Sequence, residues 1–335
     1  MKLFQINHFF FKLKANFEPL QKGILFIMKK TFLTTMLAVT VFTTAFALTG
    51  CHTKKAAEAS TQTKETSSKL KVATSFYPMF DFASKVGGDK VEITNMTPAG
   101  TEPHDWEPSA KDIEQLEKSD VFIYNGADME HWTDDVLASL DNKNITVVEA
   151  SQGISLLKEG KSYDPHVWLN PLNAKKEMEN IKEALIKADE KNKEYYEKNY
   201  KTYAKKFDTL DSEYSTTLSN VKNKNLIASH EAFGYLCEAY GLKQIGIEGL
   251  SPDSEPDAAK MKEIIHFAKK HNVKTIFFEE LVSPKVSETI AKELGADATV
   301  LDPIEGLSDE QQELGADYFS VMESNLQTLK KSLNK

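Results

Sequence analysis

The chain has 335 residues, with 50 Asp and Glu against 41 Lys, no Arg, and a formal net charge of −9. An acidic chain without a single guanidinium excludes a nucleic-acid binder, which needs a basic patch, and suits attraction of cations. It holds only two Cys, so a disulfide framework is excluded too.

The N-terminus carries a secretory pattern. Met28-Lys29-Lys30 is a basic start, residues 31–47 form an uncharged run of apolar and small residues, and Leu48-Thr49-Gly50-Cys51 follows. The run is shorter than the ~20 apolar residues of a membrane span. A Cys directly after Leu-Thr-Gly resembles a bacterial lipobox, which makes Cys51 the expected lipidated first residue and 1–50 the expected signal. Residues 1–27 fit that signal poorly, so Met28 is a candidate true start. Residues 51–69, rich in Thr, Ser, Lys, Glu and Ala, read as a flexible tether. Without residues 1–50, which carry six Lys and one Glu, 35 basic and 49 acidic residues remain, a net charge of −14. With Cys51 lipidated, Cys237 has no partner and reads as a buried core thiol on a helix.

Beyond the tether, strands are expected at 71–75, 91–96, 121–125, 146–149, 226–229, 244–247, 275–278 and 298–301. Amphipathic helices lie between them, as at 110–118, 257–271 and 284–294. Strand–helix alternation predicts an α/β fold with parallel sheets. The pattern repeats: Val72 and Leu226 open similar units, as do Val121 and Thr275, each pair 154 residues apart. Two similar lobes follow, at 70–190 and 225–335. Between them, Tyr196, Tyr200, Tyr203, Phe207, Leu210, Tyr214, Leu218 and Val221 form one apolar stripe at helical period. No Gly or Pro interrupts residues 173–224. A helix over about 192–221, within a linker at 191–224, would brace both lobes and limit their opening.

Four residues with metal-ligand chemistry stand far apart: His104, His166, His230 and Glu305. They are separated by 62, 64 and 75 residues, so only a complete tertiary fold can bring them together, unlike the short spacings of a zinc finger. His104 and His166 are framed by Pro, acidic and Trp residues, with Asp105 and Asp164 as candidate acceptors for their imidazole N–H groups. His230 and Glu305 follow expected strands, where open α/β sheets bind ligands. The site therefore falls in the cleft, with two ligands from each lobe. His52 lies in the tether, His131 reads as a helix-face residue, and His266 and His271 as surface residues of a Lys-rich helix. Asp302, Glu279 and Glu280 also end strands and are alternatives to Glu305.

The residues carrying a family resemblance are Ala73-Thr74-Ser75-Phe76-Tyr77-Pro78, Glu102-Pro103-His104-Asp105-Trp106-Glu107-Pro108, Asp164-Pro165-His166-Val167-Trp168-Leu169-Asn170-Pro171, Ser229-His230-Glu231-Ala232-Phe233 and Gly249-Leu250-Ser251-Pro252-Asp253-Ser254-Glu255-Pro256. From about Lys71 to the C-terminus the chain resembles the cluster A-I solute-binding lipoproteins of ABC transporters, which bind zinc or manganese and include relatives of streptococcal adhesins. The resemblance implies two lobes joined by a rigid helix, and metal ligands at His104, His166, His230 and Glu305. Manganese-type relatives tend to carry a carboxylate where this chain has His230, and the Pro-Ile-Glu-Gly-Leu context of Glu305 resembles zinc-type members. Zn2+ is thus the expected cargo and Mn2+ the alternative. The 104–166 segment lacks the long His-rich loop of many zinc-type relatives. The resemblance implies a membrane permease and its cytoplasmic ATPase as partners, and because the chain has no P-loop of its own, ATP hydrolysis would belong to them. The expected state is a monomer on the outer face of a bacterial membrane, with no enzymatic activity. Two other classes differ by simple tests: a metallohydrolase would turn over substrate, though no His-Glu-x-x-His motif is present, and an adhesin would bind host matrix without the histidines.

Overall fold

The structure is a computed structural model that describes residues 68–252 and 256–335. Cys51, the signal and the tether to residue 67 lie outside the described residues. The first lobe alternates β1 (Leu70–Thr74), α1 (Tyr77–Gly87), β2 (Val91–Asn95), α2 (Ala110–Glu117), β3 (Val121–Tyr124), α3 (Thr133–Ser139) and β4 (Thr146–Glu149). A small antiparallel hairpin, β5 (Lys158–Glu159) and β6 (Ser162–Tyr163), precedes α4 (Pro171–Ala188) and the long α5 (Lys193–Ser219). The second lobe runs β7 (Asn225–Ala228), α6 (Gly234–Tyr240), β8 (Lys243–Gly246), α7 (Ala258–Lys270), β9 (Thr275–Phe278), α8 (Lys285–Leu294) and β10 (Asp297–Val300), then α9 (Asp309–Glu313) and α10 (Tyr318–Ser332).

Both four-stranded sheets are parallel, with orders β2-β1-β3-β4 and β8-β7-β9-β10. Counted within its own lobe, each is 2-1-3-4, so the repeat in the sequence is a repeat in topology. Its offset is 155 residues rather than 154: Val72 pairs with Val121 as Ile227 pairs with Ile276. The apolar pattern alone slips by one because strands buried on both faces do not alternate. All eight expected sheet strands form, each within one residue of its expected start.

The linker stripe is buried as expected. Tyr196, Phe207, Leu210, Tyr214 and Leu218 face the core, and Tyr200 and Tyr203 are half-buried. At 27 residues the helix is roughly 40 Å long. One continuous apolar cluster takes in Phe82 and Met178 of the first lobe, Phe207 and Tyr214 of α5, and Leu226 and Phe277 of the second. The uninterrupted 173–224 segment nonetheless breaks into two helices. Asp189 ends α4 outside the helical region (φ −145°), and its buried Oδ2 accepts hydrogen bonds from Tyr196 Oη at 2.8 Å and Asn192 Nδ2 at 2.6 Å. A side-chain network thus supplies the turn that neither Gly nor Pro provides. The last helix, α10, crosses back to the first lobe: Tyr318 packs edge-on against Phe82 at 5.0 Å, and Tyr214 Oη donates to the Met322 carbonyl at 2.7 Å. No helix among the described residues is long and apolar enough to cross a membrane.

Candidate metal centre

The four spaced residues come together at the carboxyl ends of the two sheets. His104 lies in the loop between β2 and α2, and His166 in the turn before α4. His230 comes two residues after β7, and Glu305 five residues after β10. Their side chains are 0–6 % exposed, and one donor atom from each lies within 4.8 Å of all the others. Nε2 of His166 is 3.2 Å from Nε2 of His104 and 3.1 Å from Nε2 of His230. Oε1 of Glu305 is 3.3, 3.0 and 3.4 Å from the Nε2 atoms of His104, His166 and His230. Ligands at the corners of a tetrahedron with ~2.0–2.1 Å bonds stand about 3.3 Å apart. Nitrogen lone pairs facing one another at such distances, out of water, are costly unless a proton or a metal cation lies between them.

The backing of each imidazole fixes which nitrogen faces inward. His166 Nδ1 donates to Asp164 Oδ1 at 2.7 Å, and His230 Nδ1 donates to Glu279 Oε1 at 2.6 Å, an oxygen that also accepts from Ser229 Oγ at 2.9 Å. Both Nε2 lone pairs are thereby committed to the centre. The Asp164 carboxylate fits because residue 234 is Gly; a Cβ there would lie 2.4 Å from Asp164 Oδ2. Asp105, by contrast, is exposed. His131 lies in the turn ahead of α3 rather than on a helix face, and His131, His266 and His271 are all exposed. Cys237 is buried and unpaired, and burial pushes its thiol pKa up.

The alternatives to Glu305 have other tasks. Asp302 accepts from Ile304 N at 2.7 Å and Gln311 Nε2 at 2.6 Å. Glu279 backs His230, and Glu280 is exposed. Asp302 holds Ile304 at φ +60°, a conformation that strains a β-branched residue and turns Glu305 into the centre. Trp168, two residues after His166, donates its Nε1 to the Pro303 carbonyl at 2.7 Å, tying a ligand segment of one lobe to that of the other. Tyr318 Oη donates to the Trp168 carbonyl at 2.6 Å, and Tyr235 Oη to that of Asp164 at 2.8 Å. Glu102 accepts from His104 N at 3.0 and 3.1 Å, and burial together with the nearby Glu305 charge pushes it up to about 7. Sequence reasoning missed Glu102 and these latches, although Glu102, Trp168 and Tyr235 lie within or beside motifs it singled out; Tyr318 lies in none.

Replacing either backing acid, as Asp164→Asn or Glu279→Gln, should weaken metal binding roughly 10–100-fold; competitive titration against a chelator measures it. The same geometry sets the pH response. Burial alone would lower the pKa of His166, but hydrogen bonds to Asp164 and Glu305 raise it. His230, against Glu279 and Glu305, is raised well above the usual imidazole value. Those imidazolium charges in turn hold Glu305 well below the usual carboxylate range despite its burial. Protons therefore compete with metal from above the ordinary imidazole pKa near ~6.5. As pH falls from about 8 to 6, affinity should fall by about tenfold per unit for each proton displaced. The metal-free protein runs the other way. Its raised histidines add stability that is fully present below ~6.5 and is lost as pH rises through the raised values. Thermal melts with and without metal across that range measure both slopes.

Two lobes of parallel sheet joined by a rigid helix, with the candidate centre in the cleft, define a bilobal solute-binding protein. Residues 72–332 match the sequence model of the family described as zinc-uptake complex component A, periplasmic, and the chain belongs to that family. The high-affinity zinc uptake system protein ZnuA of Bacillus subtilis is 42% identical over 307 residues, covering 86% of this chain and 96% of that protein. The solved Zn(II)-bound ZnuA-like domain of Streptococcus pneumoniae AdcA superposes with a TM-score of 0.73 at 41% identity, over 80% of this chain and all of that domain. This chain spans only 57% of the length of the whole pneumococcal zinc-binding lipoprotein AdcA, at 38% identity over 81% of its own residues. The laminin-binding protein Lmb of Streptococcus agalactiae, described as having adhesin and metal-transporting activity, superposes with a TM-score of 0.74 at 36% identity, over 79% of this chain and all of that one.

Proposed function

We propose that this chain captures Zn2+ in its interlobe cleft through His104, His166, His230 and Glu305, and delivers it to an ABC permease for uptake. The observation that carries the reading is the cluster of three inward Nε2 atoms and one carboxylate oxygen, buried at tetrahedral spacings. Zinc suits four nitrogen and oxygen ligands, whereas manganese prefers more oxygens and higher coordination. A single carboxylate among three neutral imidazoles leaves the loaded centre at +1, partly balanced by the Asp164 and Glu279 carboxylates behind the imidazoles.

Cys51 anchors the chain through its lipid to the outer face of the membrane, and the tether to residue 69 lets the monomer reach the permease. ATP hydrolysis belongs to the permease's cytoplasmic partner. The interlobe bonds of Trp168 and Tyr318 favour small movements of ligand segments over wide opening, so docking on the permease releases the metal by displacing a ligand loop.

Radioactive zinc uptake by zinc-depleted cells tests this. Cells lacking the gene should regain uptake with the wild-type chain but not with Glu305→Ala, and Cys51→Ala should release the protein into the medium. Normal zinc uptake without the gene, together with a fall in manganese uptake, would contradict it. An adhesive property is a second reading, favoured by the likeness to Lmb; laminin binding that survives His166→Ala would establish it as a separate activity.

A further inference from the structure

Only Oε1 of Glu305 faces the histidines; its Oε2 is buried without a hydrogen-bond partner. Glu305 also borders a cavity of about 400 Å³ in the cleft. Tyr77, Asp81 and Thr97 of the first lobe line one side of it, and Leu307 and Gln312 of the second lobe line the other. Asp81 is 7 % exposed, and its Oδ2 likewise has no partner. Its Oδ1 pairs with Lys85 at 2.5 Å, but that lysine is shared with Asp317 at 3.0 Å. Among the described residues, no Lys or His lines the cavity. Glu305 Oε2 and the Asp81 carboxylate, which pairs with Lys85 and has the Tyr77 hydroxyl beside it, thus border one space, and a buried carboxylate oxygen left without a donor, as Glu305 Oε2 is, is costly unless a cation or its water shell reaches it. His166 and His230, at 0 % and 1 % side-chain exposure, are closed to solvent, whereas Glu305 stands between them and this space.

We propose that the cavity is a vestibule for the hydrated divalent cation. The ion is held through its waters between Asp81 and Oε2 of Glu305. It then passes to the histidines by ligand exchange, each departing water being replaced by an imidazole nitrogen or a Glu305 oxygen with no change in oxidation state. The inference rests on the reading of Glu305 as a ligand. A vestibule on the path governs rates in both directions and leaves the equilibrium at the centre unchanged.

Stopped-flow kinetics of Zn2+ binding to the full chain, with chelator-driven release, test it. Ala99 and Ala316 both line the cavity, and Ala99→Trp and Ala316→Phe would fill it from opposite lobes. Each should slow association and release together, roughly 5–10-fold, with affinity and one-zinc stoichiometry kept. Asp81→Asn should slow association and flatten its dependence on salt. Hexaamminecobalt(III), which has the size of a hydrated ion and does not exchange its ligands, should slow zinc association to wild type but not to Asp81→Asn. Unchanged rates in both filled variants with the native fold kept, or indifference of wild type to the cobalt complex, would overturn the vestibule and leave the metal centre standing. Absence of zinc binding in the wild type would instead remove the centre, and the vestibule with it.

Discussion

His166→Ala should abolish tight zinc binding, with a loss well beyond the roughly 10–100-fold expected for an outer-shell partner. His166 is the hub of the centre: its Nε2 lies within 3.2 Å of His104, His230 and Glu305, so its removal takes a corner from three edges at once. It also takes one of two donors from Asp164, 4 % exposed, whose Oδ1 would lose the imidazole proton at 2.7 Å and keep only the backbone N–H of residue 166 at 3.0 Å. Losing that imidazole donor from a buried carboxylate costs about 1–3 kcal/mol even without metal. The metal-free variant should thus melt below the metal-free wild type, and zinc should no longer raise its melting point. A chelator competition and a pair of melts measure both effects. Retained tight binding would mean that the cation sits elsewhere.

Trp168→Ala should be the most damaging core substitution near the centre, at about 3–5 kcal/mol. Trp168 is fully buried, packs edge-on against Phe76 at 5.0 Å, and bridges the lobes through the Pro303 carbonyl. Truncation opens a cavity and leaves a buried carbonyl unpaired beside the strained Ile304. For a domain of this size the melting point should drop by about 10 °C. Trp168→Phe, which keeps most of the apolar volume, should lose only about 1–3 kcal/mol for the missing hydrogen bond. Denaturant unfolding of the two variants separates packing from latch. Equal losses would show that the hydrogen bond, not the packing, holds the segments together.

The fold was legible because its signals are periodic and strong. Eight apolar strands, the strand–helix alternation and the stripe from Tyr196 to Leu218 need only the sequence to be seen. The two-residue strands of the β5–β6 hairpin have no period to detect, and the break at Asp189 depends on a side chain accepting from Tyr196, a contact that exists only once the helices pack. At the site, the ligand candidates could be named from motifs, but the division of labour among the acids could not. Asp302, Glu279, Glu280 and Glu305 all follow strands of the second lobe. Only the folded geometry turns Glu279 toward an Nδ1, ties Asp302 to its own loop and leaves Glu305 facing three Nε2 atoms. The cavity beside Glu305 joins residues from 77 to 316 and has no sequence signature.

The most direct test of the central claim is metal competition at equilibrium. Metal-stripped protein is offered equimolar Zn2+ and Mn2+, and the bound metal is counted for wild type and Glu305→Ala. One zinc per chain, no manganese, and a marked loss of zinc in Glu305→Ala are the predicted results. Preferred manganese, or zinc binding indifferent to Glu305→Ala, would contradict the assignment of this centre as a three-histidine, one-glutamate zinc site.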